Sequence, residues 1–215
     1  MRSSDEKTKA YPVQLQNMLG DKTKYEVINL GVSGRTMMKM GDYPYWKEQA
    51  YQEALKSNAD IVILMLGTND SKTFQWNEVA FRHDYLEMSR NFLAMESKPT
   101  LYVMIPPPLY GQGAYQMNQT VINEVFPELI PQIAQELELP SDRVIDIMGA
   151  MGGKNQSSFE LFCDGQSCDA CHPNDAGYSF MAAEVYKHLF LPPMPQQDWK
   201  PSAGMEAIGG ENQFF

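Results

Sequence analysis

Two short stretches, Ile61-Val62-Ile63-Leu64-Met65-Leu66 and Leu101-Tyr102-Val103-Met104-Ile105, are apolar at nearly every position. A strand with one wet face alternates apolar and polar residues, whereas a strand apolar throughout is covered on both faces, as in a parallel sheet between two helical layers. The segments around them carry the other period. Tyr11, Leu15, Met18 and Leu19, then Trp46, Ala50, Ala54 and Leu55, then Phe81, Tyr85, Met88, Phe92 and Met95 recur at three- and four-residue steps, as do Leu129, Ile130, Ile133, Ala134 and Leu137. Tyr178, Met181, Ala182, Val185, Tyr186 and Leu189 give a closing helix, begun by Asn174 or Asp175 as cap. Gly20 stops the first helix, and Asp42 and Pro44 open the second. Tyr25 to Leu30 and Arg143 to Ile147 read as two further strands. Strands alternating with helices in this way predict an α/β domain of three layers, α/β/α, with a mostly parallel sheet.

At 215 residues the chain suits one domain, expected over 1–191. From Pro192 on, prolines, glycines and polar residues without periodicity read as a tail, 192–215. No apolar run approaches the ~18 residues that a membrane span needs, so no membrane span is expected. The formal net charge of −10, with no offsetting cluster of lysine or arginine, argues against a partner held through phosphates, so no nucleic acid partner is expected. The start, Met1 to Lys7, is polar and shows no secretion signal. Cys163, Cys168 and Cys171 crowd together just before His172. A structural zinc wants paired Cys-x-x-Cys units from separate segments, so a short disulfide loop with one cysteine left over, or three reduced thiols, is preferred. A disulfide there would imply an oxidising compartment.

In a parallel α/β sheet functional groups collect at the carboxyl ends of the strands. Three strand exits are marked: Gly31-Val32-Ser33-Gly34 after Leu30, Gly67-Thr68-Asn69-Asp70 after Leu66, and Pro106-Pro107-Pro108 after Ile105. Asp169-Ala170-Cys171-His172 follows late in the chain. An asparagine amide beside glycine N–H groups suits an oxyanion, and Asp-x-x-His suits proton transfer, so together they are the parts of a hydrolase without its nucleophile. Blander roles exist for each. Asn69-Asp70 can close a turn on its own backbone, and His172-Pro173-Asn174 can be a helix entry. Ser33 fails the Gly-x-Ser-x-Gly elbow because Arg35 fills the last place, so it reads as a turn hydroxyl. His83 and His188 read as surface residues. Asp164 is an alternative to Asp169, but only Asp169 keeps the two-residue gap to His172. Trp76, Tyr110 and Tyr115 line a rim or simply pack.

These blocks resemble the SGNH (GDSL-type) hydrolase family, from about Ser3 to Leu189. The resemblance implies the flavodoxin-like fold of that family and a serine esterase acting on small-molecule or carbohydrate-linked esters of acetyl or other short acyl groups. It implies His172 as general base, Asp169 as its orienting carboxylate, and Gly34 and Asn69 as oxyanion donors, with Gly67, Asp70 and Ser33 in supporting places. No cofactor and no metal are implied. The family's Gly-Asp-Ser block, which brings the nucleophile on a central first strand, has no counterpart here. The expectation is therefore a truncated amino end, with a signal peptide and secretion open to the missing part. The alternative is a nucleophile-less binding module for carbohydrate or acyl ligands. In the family's sheet the first strand lies between the strands placed at Tyr25 to Leu30 and at Ile61 to Leu66, so a defect is expected at the centre of the sheet.

Overall fold

The computed structural model describes residues 6–110, 114–160, 162–163 and 169–190; the tail, Asp164 and Cys168 lie outside these. Three parallel strands, β1 (Ile61–Leu64), β2 (Thr100–Ile105) and β3 (Val144–Asp146), form a sheet in the order β1-β2-β3. Ile61 lies opposite Thr100 and Val103 opposite Val144, so β2 is the central strand of the three. The helices are α1 (Glu6–Lys9), α2 (Tyr11–Leu19), α3 (Gln49–Lys56), α4 (Glu78–Leu93), α5 (Phe126–Glu136), α6 (Ile147–Ala150), α7 (Gln156–Glu160) and α8 (Asp175–Phe190). Two of their starts are capped by asparagine: Asn77 accepts from the Ala80 N–H at 2.9 Å and Asn174 from the Gly177 N–H at 2.8 Å.

The layering follows from the pleat of β2. Leu101, Val103 and Ile105 point into a core with Phe81, Tyr85, Met88 and Phe92 of α4 and Phe126, Leu129, Ile130 and Ile133 of α5. Tyr102 and Met104, between them in sequence, point the other way into a core with Leu15 of α2 and Met181, Ala182 and Val185 of α8. Successive side chains of a strand face opposite sides, so a run with no polar break has to be covered twice. The result is the three-layer α/β/α arrangement.

The segment Tyr25 to Leu30 corrects one expectation: it forms no strand. Three of its backbone groups are taken by side chains instead. The buried Gln16 accepts from the Val27 N–H at 2.8 Å and donates to the Tyr25 carbonyl at 3.0 Å, and the Tyr45 hydroxyl donates to the Leu30 carbonyl at 2.8 Å. Tyr25 and Ile28 remain 46% and 53% exposed while Val27 packs against the core of α2 and α8, so an apolar pattern that would fill a sheet interior is only partly covered. A strand is defined by the partner it pairs with, and among the described residues this segment has none. β1 has one open edge on the same account: among the described residues it pairs with β2 alone, and Ile61 is 39% exposed although its sequence is that of an interior strand.

Candidate active site

The first two marked turns are tied together by one buried carboxylate. Asp70 is fully buried and accepts from the Met37 N–H at 2.8 Å and the Met38 N–H at 2.6 Å, so the turn after β1 holds the chain three and four residues past Gly34. Gly67 sits at φ 133°, and a Cβ there would approach the rings of Phe126 and Phe81 at 3.1 and 3.2 Å. Only glycine takes that place without strain. Its carbonyl accepts from the Asp70 and Ser71 N–H groups, closing the turn that presents Asn69. The Asn69 carbonyl is held by Gln75 at 2.9 Å. Its half-buried side-chain amide makes no hydrogen bond among the described residues, so both N–H groups are free to donate. Gly34 also has a positive φ, 79°, and a Cβ there would meet nothing within 4 Å. The neighbouring Ser33 is exposed.

Burial pushes the Asp70 carboxyl up to about 7, with the Met38 and Met37 N–H groups pulling it down and Asp42 adding to the rise. The folded protein therefore keeps this proton to a higher pH than the unfolded chain, in which an aspartate releases it near ~3.9. Stability from Asp70 is fully present below that value and is lost as the pH climbs through about 7. Urea midpoints between pH 4.5 and 8 check this: wild type is expected to lose stability across the interval, and Asp70→Asn to lose less of it. The variant should start lower, by ~1–3 kcal/mol, because an amide cannot accept from both backbone donors. Parallel curves would show that Asp70 is not the titrating group.

Asp169 and His172 come together just before α8. His172 Nδ1 lies 2.7 Å from Asp169 Oδ2, while Asp169 Oδ1 accepts from the backbone N–H groups of His172 at 2.8 Å and Cys171 at 3.0 Å. Burial raises the Asp169 carboxyl, but the bonds from the His172 backbone and ring and from Cys171 outweigh it and hold the group well below the ordinary carboxylate range. A permanent carboxylate on Nδ1 fixes the tautomer and leaves Nε2 to accept a proton. Nε2 makes no hydrogen bond among the described residues, and no hydroxyl there is positioned as its partner. The Asp169–His172 loop is braced by the Asn174 N–H on the Phe162 carbonyl at 2.7 Å.

Of the cysteines, Cys163 is disulfide-bonded and Cys171 is free. The Cys171 thiol is buried against Met117, and burial, with Asp169 nearby, pushes it up to about 12, so it is neither a nucleophile nor a ready metal ligand. His83, Asp84 and Glu87 form a cluster of metal-ligating type among the described residues. Lys39 already occupies it: its backbone N–H donates to Asp84 at 2.7 Å and its ammonium meets Glu87 at 2.5 Å, which removes the charge a cation would answer.

Sequence reasoning missed the contact between the two halves of the site. Tyr115, exposed and left-handed at φ 55°, sets its ring 6.0 Å from that of His172 at 75° and its hydroxyl 3.4 Å from Asp169 Oδ2. Its neighbour Gln116 accepts from the Thr73 N–H at 3.0 Å, and Asn118 N–H donates to the Ser71 carbonyl at 3.1 Å. The segment 115–118 thus joins the Asn69 turn to the Asp169–His172 pair. The only signal in the sequence was an aromatic residue in a glycine-rich loop, which does not distinguish a rim from packing.

Comparison with known proteins agrees with this frame. Residues 2–180 match the model of the GDSL-like lipase/acylhydrolase family. An acetylxylan esterase of Xylanibacter ruminicola is 32% identical over 190 residues, 80% of this chain and 37% of the relative, so the chain spans little more than a third of that protein's length. A catalytic mutant of an acetylxylan esterase from Geobacillus stearothermophilus superposes with a TM-score of 0.61 at 17% identity, over 84% of this chain and 81% of its own. A lipase/acylhydrolase from Enterococcus faecalis does so with a TM-score of 0.60 at 20% identity, over 88% and 95%. Solved structures at such identities speak for the fold alone, while the family match covers the marked turns after Leu30 and β1 and the Asp169–His172 pair. The chain therefore belongs to the GDSL-like lipase/acylhydrolase family, the SGNH hydrolases.

Proposed function

We propose that this chain is the scaffold of a serine esterase that removes acetyl or other short acyl groups from carbohydrate, with the serine carried on a strand seated beside β1. The observation that carries the proposal is the Asp169–His172 pair at 2.7 Å with a free Nε2, on a scaffold whose Asn69 amide is equally uncommitted. The serine hydroxyl would give its proton to His172 Nε2 and attack the ester carbonyl. The oxygen of the tetrahedral intermediate would take hydrogen bonds from the Gly34 N–H and the Asn69 amide. His172 would then return the proton to the departing sugar hydroxyl, and water would release the acyl group by the same route in reverse. Asp169 would hold the imidazole throughout. The acetylxylan esterase relative supports a carbohydrate ester as substrate.

The site has no use for a metal in this scheme. Acetate release from acetylated xylan tests it: a form bearing a Gly-Asp-Ser strand ahead of residue 6 should be active, and the 215-residue chain should match its own His172→Ala variant. Xylan binding without acetate release in the strand-bearing form would support the rival, a carbohydrate-binding module on the same fold.

A further inference from the structure

The Asp169–His172 pair is flanked by one feature that proton transfer does not require, the outward ring of Tyr115. Tyr115 and Gln116 are both left-handed, at φ 55° and 64°, a backbone that residues with a Cβ adopt at a cost and that persists only where the surroundings impose it. The surroundings do impose it: the Thr73 N–H holds the Gln116 carbonyl, and an antiparallel bridge pairs Lys72 with Met117. The strained pair turns the tyrosine so that its hydroxyl meets Asp169 Oδ2 and its ring makes a T-shaped contact with His172. The residue nevertheless stays 59% exposed. An aromatic ring more than half exposed is thus held beside the imidazole, with the ring centroids 6.0 Å apart, while the Asn69 turn is anchored to the same segment.

We infer that Tyr115 is a specificity-determining residue, the wall on which a pyranose ring of the substrate stacks so that its ester is presented to His172. A pyranose offers a face of C–H groups that packs on an aromatic ring, and its equatorial hydroxyls leave the rim solvated. A linear alcohol offers no such face. The Tyr115 hydroxyl anchors the ring, and the face does the recognising. This rests on the carbohydrate esterase reading and names the part of the substrate that the site reads.

Binding to the full 215-residue chain tests it without turnover. Xylotetraose is titrated into wild type, Tyr115→Phe and Tyr115→Ala, followed by the NMR signals of the His172 ring. Wild type and Tyr115→Phe are expected to bind with similar Kd, and Tyr115→Ala about tenfold more weakly, the scale of one aromatic contact. Equal binding by Tyr115→Ala would overturn the inference, as would a Tyr115→Phe as weak as Tyr115→Ala, which would place the effect in the hydroxyl. Absence of any saturable shift in wild type would also overturn it. Parallel assays with 4-nitrophenyl acetate on the strand-bearing form separate the two proposals. Turnover without sugar binding removes only the role of Tyr115, whereas sugar binding without turnover removes the esterase.

Discussion

In a form completed by a Gly-Asp-Ser strand, His172→Ala is expected to lower the kcat for 4-nitrophenyl acetate by roughly 10⁴–10⁶-fold, about 5–8 kcal/mol of transition-state stabilisation. The size follows from the role. In the proposed scheme His172, whose Nε2 is left open by the bond of Nδ1 to Asp169, is the base for the serine and the acid for the leaving group, and the variant would have neither. Asp169→Asn should also be costly: an amide presenting its N–H₂ to Nδ1 favours the wrong tautomer, and an amide oxygen holds Nδ1 without the charge that steadies the imidazolium. Asn69→Ala should cost less, about 10²–10³-fold, because the Gly34 N–H would still face the oxyanion. Stopped assays at matched protein concentration rank the three, and a His172→Ala variant that kept a tenth of the activity or more would remove the imidazole from the chemistry.

The second large effect is on stability. A parallel strand seated between β1 and the Tyr25–Leu30 segment would give the open edge of β1 a ladder and cover Ile61, Tyr25 and Ile28, which now face solvent. Bringing the exposed half of these three side chains out of water is worth about 2–4 kcal/mol, which for a domain of this size corresponds to roughly 5–15 °C in Tm. Calorimetry of the strand-bearing form beside the 215-residue chain in one buffer checks this. An open apolar edge also invites pairing between copies, so the shorter chain should aggregate sooner on heating. Equal melting temperatures would show that the edge of β1 needs no partner.

The elements that sequence reasoning anticipated are those whose signal is local. β1, β2 and α4 declare themselves through apolar runs and a 3.6-residue period, and the alternation of the two implied the layers. Tyr25 to Leu30 has the composition of a strand, but pairing is a property of two segments, and here Gln16 and Tyr45 satisfy three of its backbone groups instead. The last strand is shorter than its apolar pattern, because Ser141–Arg143 forms a 3₁₀ turn and Ile147 opens α6. In the site, Asp169 and His172 were legible because their contact spans three residues. Asp70 was legible only as part of a turn, since its partners Met37 and Met38 lie more than thirty residues away in sequence. Tyr115 was not legible as a neighbour of His172, because the left-handed backbone that aims it is imposed by Thr73 and Lys72 across a loop.

Covalent labelling by a fluorophosphonate, read by intact mass and peptide mapping, tests the central claim most directly. The strand-bearing form should take up one phosphonyl group per chain, on the serine of its Gly-Asp-Ser, and His172→Ala should take up essentially none. Labelling of Ser33 in the 215-residue chain, or a strand-bearing form that stays unlabelled while folded, would contradict the assignment of Asp169, His172, Asn69 and Gly34 to a site completed by that serine.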